Sequence, residues 1–73
     1  MLTPEQEKVL RFLRRRIMSP LADLTRKCLP GAPAELVNRV LADLEWLGYV
    51  VVYCDDAGEP TAVQTTERGR VAI

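Results

Sequence analysis

The sequence has no histidine, two cysteines, and no apolar run approaching the roughly 20 residues that span a bilayer. Each absence closes a class of function. Without histidine, and with Cys28 and Cys54 far apart and outside any CxxC pattern, a zinc site has too few ligands. Neither cysteine has a plausible base beside it, so nucleophilic catalysis lacks its usual partners. Both cysteines read as small buried hydrophobes. Asp55, Asp56 and Glu59 do not follow the spacing of a calcium loop, and Gly58 has no glycine-rich phosphate loop around it. No enzyme activity, metal or cofactor is expected. There is no basic leader followed by an apolar stretch and cleavage site, so a cytoplasmic location with no membrane partner is expected.

The formal net charge is +0 over 73 residues, which removes any bulk attraction to nucleic acid or membrane. The balance hides an asymmetry. Lys8, Arg11, Arg14, Arg15, Arg16, Arg26 and Lys27 precede a stretch carrying Glu35, Asp43, Glu45, Asp55, Asp56 and Glu59. The folded domain is therefore expected to be a charge dipole. Its length allows one core that buries only roughly 60% of the unfolded surface.

The strongest local signal is PAELVNRVLADLEWL, residues 33 to 47. Val37, Val40, Leu41, Leu44 and Leu47 recur at i, i+3, i+4 and i+7, one stripe of a helix. Pro33 suits its first position and Gly48 the left-handed residue past its end. The opposite face carries Glu35, Asn38, Arg39, Ala42, Asp43 and Glu45.

Earlier in the chain, Thr3-Pro4-Glu5-Gln6 has the form of a capping box and opens a helix over about residues 4 to 16 with Val9, Leu10, Phe12, Leu13 and Ile17 apolar. Ser19-Pro20 opens a second helix over about residues 20 to 28, with Leu21, Leu24 and Cys28 on one face and Leu29 as a further core contact. Pro30-Gly31-Ala32-Pro33 is a turn. After Gly48 the pattern changes to extended: YVVVYC, the polar loop DDAGEP, and TAVQTT form a hairpin over about residues 49 to 66. Thr66 then caps a short turn or helical start, with Val71 and Ile73 as an apolar tether. Ile17-Met18 is a candidate third strand. The expected core is Val9, Leu10, Leu13, Ile17, Leu21, Leu24, Val37, Val40, Leu41, Leu44, Leu47, Val50 and Val52.

Three helices followed by a two-stranded hairpin is the element order of an α+β winged helix-turn-helix domain. LADLTRKCLPGAPAELVNRVLADLEWLGYV resembles the helix-turn-helix of small bacterial and phage transcriptional regulators. Val37, Arg39, Leu41, Leu44, Gly48, Tyr49 and Val50 match the stretch that closes the recognition helix. Thr66, Gly69 and Arg70 match the segment that follows the wing. The resemblance covers nearly the whole chain and implies binding of double-stranded DNA in transcriptional regulation, often as a homodimer. It departs from the family at Ala42 and Asp43, where a base is common, and in an acidic wing.

With the third helix in a major groove, Ala34, Glu35, Asn38 and Arg39 reach the base edges. Arg26, Lys27 and the start of the second helix hold phosphates, and Arg68 and Arg70 add contacts. The alternative is a protein-interaction module on the same scaffold. There the basic face of Arg11, Arg14 and Arg15 and the acidic face of Asp55 and Asp56 meet a partner or a second copy, with Trp46 as an apolar anchor.

Overall fold

A computed structural model describes residues 2–73. The order is α1 (Pro4–Arg16), β1 (Met18–Pro20), α2 (Leu21–Cys28), α3 (Ala34–Trp46), β2 (Val50–Cys54), β3 (Pro60–Thr65) and α4 (Glu67–Val71). The three expected helices and the hairpin are present, joined by a third strand and a fourth short helix. The strands form one antiparallel sheet in the order β1-β3-β2.

The α1 capping box forms as the sequence implies. Thr3 Oγ1 accepts from the Gln6 amide at 3.2 Å, and the Thr3 amide donates to Gln6 Oε1 at 3.0 Å. The helix ends where Ile17 takes a positive φ of 68° and turns the chain into β1. Ile17 thereby leaves the helical stripe and is 48% exposed rather than in the core. The third strand lies at Met18–Pro20, one residue later than expected. Met18, Ser19 and Pro20 pair with Gln64, Val63 and Ala62. That pairing also changes the start of α2: Ser19 is buried with its hydroxyl donating to the Pro20 carbonyl, Pro20 is the cap residue, and the helix opens at Leu21.

Helix α3 starts at Ala34 with Pro33 as its cap residue and buries Val37, Val40, Leu41 and Leu44. Gly48 has φ 80°, the left-handed turn that sends the chain into β2. Leu47 lies past the last helical residue, off the stripe, and is 39% exposed. The core gathers Val9, Leu10 and Leu13 of α1, Leu24 and Cys28 of α2, Leu29, the α3 stripe, Val50 and Val63. Leu21 and Val52 pack against its edge, half-buried. Val63, on the middle strand, was absent from the expected core. Cys54 is exposed, not buried, because a register irregularity between Tyr53 and Cys54 breaks the strand's alternation.

Candidate nucleic-acid interface

Burial of one stripe of α3 leaves the other facing solvent. Ala34, Glu35, Asn38, Arg39, Ala42, Asp43 and Glu45 are all exposed. Glu35, Asn38 and Arg39 stand at i, i+3 and i+4, so they share a surface at the start of the helix. Among the described residues no side chain caps the α3 N-terminus, and its free amides add a local positive potential there. Neither of the two ion pairs among the described residues involves Arg39.

Two shallow grooves, one beside α3 and one beside α2, share Pro60, the first residue of β3. One is lined by Asn38, Ala42 and Glu45 of α3 and by Val52 and Cys54 of β2. The other lies between Ala22, Thr25 and Arg26 of α2 and Pro60-Thr61 of the hairpin. The fold thus brings Arg26 and Asn38 to the two sides of one proline. Arg26 is held by Asp23 at 2.6 Å, an exposed pair one helical turn apart. Lys27 is exposed in the last turn of α2.

The hairpin also touches α3 through a contact that no local pattern announces. Glu45 Oε2 accepts from the Val52 amide at 3.3 Å, so a carboxylate of the helix occupies a free donor on the outer edge of β2. Asp55 builds the hairpin tip, its Oδ1 accepting from the amides of Ala57 and Glu59 at 2.9 Å each. Asp56 and Glu59 remain exposed there.

The remaining site residues lie elsewhere. Arg68 sits at Gly48, where a side-chain carbon built on the glycine would lie 3.6 Å from its Cδ and its guanidinium. It therefore lies past the C-terminal end of α3, at the turn that follows Trp46, whereas Asn38 stands in the helix's first half. Arg70 is half-buried on α4. Arg11 is paired with Glu7 on α1, and Arg14 and Arg15 are exposed in its last turn. Trp46 is 89% exposed, so it covers no part of the core.

No family model and no curated protein matches the chain. Solved structures do. The crystal structure of the transcriptional regulator PA4135 superposes with a TM-score of 0.79 at 26% identity, over 97% of this chain. That of NadR in complex with 4-hydroxyphenylacetate superposes with a TM-score of 0.77 at 20% identity, over 96%. The chain spans about half the length of either, 52% and 49%.

Proposed function

The chain has the winged helix-turn-helix fold, and we propose that it is the DNA-binding module of a transcriptional regulator, with α3 as the recognition helix. One observation carries the reading: the exposed stripe at the start of α3 holds Asn38 and Arg39 side by side, with no ion pair to Arg39. Asn pairs bidentately with adenine and Arg with guanine, and both act from the N-terminal half of a helix in the major groove. The α3 amides and Lys27 supply phosphate contacts, with Arg26 after it releases Asp23. The likeness to PA4135, a transcriptional regulator, supports the same reading.

A protein-interaction module is the second reading, favoured by the exposed carboxylates of Asp56 and Glu59 at the hairpin tip. A duplex laid along the hairpin meets like charge there. Fluorescence anisotropy with a labelled random duplex separates the two. DNA binding predicts association that weakens steeply with salt and falls on Arg39→Ala. No association at low salt overturns it in favour of the second reading.

A further inference from the structure

The sheet has two faces, and only one is used by the fold. Ser19, Val63 and Thr65 point inward and are buried. On the other face the register sets two rows across the three strands: Met18, Gln64 and Val51, then Pro20, Ala62 and Tyr53. Met18 is 47% exposed, Val51 40% and Tyr53 42%, and the Tyr53 hydroxyl donates to Gln64 Oε1 at 2.5 Å, linking the two rows. The result is an open, mostly apolar face whose central Gln64 accepts from the Tyr53 hydroxyl beside it.

The two ends of this face carry opposite charge. Only Ile17 separates Arg14-Arg15-Arg16 from β1, so the three arginines stand at the end where Met18 lies; Arg16 is stacked on the Phe12 ring at 4.2 Å, while Arg14 and Arg15 are exposed. The strands run from there to the hairpin tip, where Asp56 and Glu59 are exposed. Basic end, apolar middle and acidic end follow one another along the strand direction.

We propose that this outer face is where two copies of the chain pair, antiparallel about a two-fold axis. Such a pairing lays Met18, Val51 and Tyr53 of each copy on those of the other and sets Arg14 and Arg15 of each against Asp56 and Glu59 of its partner, twice. Parallel stacking sets like charge on like and is disfavoured. A face three strands wide and two rows deep falls short of the roughly 800 Å² per partner of a tight interface, so the dimer is weak and salt-sensitive. Asn38 meets the hairpin from its other side, at Val52 and Cys54. Pairing therefore leaves the α3 surface free.

Sedimentation equilibrium of the full chain, at low and high salt, tests this. Wild type is expected to show a concentration-dependent dimer at low salt that dissociates as salt rises. Val51→Lys, with its fold checked by circular dichroism, is expected to weaken it about tenfold or more, as is Arg14→Glu with Arg15→Glu or Asp56→Lys with Glu59→Lys. The last two, each repelling its own kind, are expected to form a mixed dimer when combined. A wild type that stays monomeric at high concentration and low salt overturns the proposal. So does a dimer unmoved by Val51→Lys, a dimer lost instead on Trp46→Ala, or charge-reversed variants that fail to pair when mixed.

Discussion

The Thr66 hydroxyl donates to the Gly48 carbonyl at 2.7 Å and accepts from the Gly69 amide at 3.0 Å. One side chain thus caps α4 and ties it to the turn that ends α3. The Thr66 amide adds a 3.0 Å bond to the Tyr49 carbonyl beside it. Thr66→Ala removes both hydroxyl bonds and is expected to cost about 1 to 3 kcal/mol, a lost cap plus a lost bond to a half-buried carbonyl. Thr66→Ser keeps both and is expected to lie near wild type. Denaturant melts of the two variants check the contrast.

Gly69 packs against the Tyr49 carbonyl. A Cβ built on it would lie 2.2 Å from the Tyr49 oxygen and 2.9 Å from Thr65 Oγ1. Helix propensity alone favours alanine by about 1 kcal/mol. The clash is with backbone that Thr66 already holds, so it wins. Gly69→Ala is expected to destabilise by about 1 to 3 kcal/mol. A raised melting temperature would show that α4 can move off the turn at no cost.

The helical stripe of α3, its closing glycine, the capping box of α1 and the hairpin were all legible, because each is written within one turn or one loop. The stripe and the capping are periodic or positional signals that need no distant partner. β1 was read only in outline: three residues including a proline carry no strand pattern of their own and become a strand through β3, far along the chain. Ile17 had the right spacing for the core and lost it to a backbone turn at φ 68°. The α4 helix was half visible, Thr66 marking its start while Gly69 argued against a helix for a reason only the packing reveals. At the candidate site, Asn38 and Arg39 followed from helical spacing. The bond from Glu45 to Val52, and the sharing of Pro60 by two grooves, depend on how the hairpin folds back.

Leu41 is 2% exposed at the centre of the α3 stripe, and Trp46, five residues on, is 89% exposed. Leu41→Ala is expected to cost about 2 to 5 kcal/mol, a large share of what a domain this small holds. Trp46→Ala, despite removing the larger side chain, is expected to fall within about 0.5 kcal/mol of wild type. Equal effects on the melting temperature would contradict the burial of one face of α3.

The two cysteines differ in the same way. Cys28 is buried, its thiol donating to the Lys8 carbonyl at 3.7 Å, whereas Cys54 is open to solvent on β2. A disulfide-exchange reagent is expected to titrate one thiol in the native protein and the second only on unfolding. Burial pushes the Cys28 thiol above its ordinary value, an effect the charges of Arg16 and Lys8 offset in part. The folded state therefore holds this proton to higher pH than the unfolded chain does. That contribution to stability is whole below the free-thiol value of about 8.5 and is lost as pH rises from there through the folded value. Cys28→Val carries no such proton, so the difference in stability between wild type and variant is expected to be constant from about pH 6 to 8 and to move against wild type above about 8.5. Melts across that range decide it. A difference that stays flat to high pH would mean the thiol is no harder to ionise folded than unfolded.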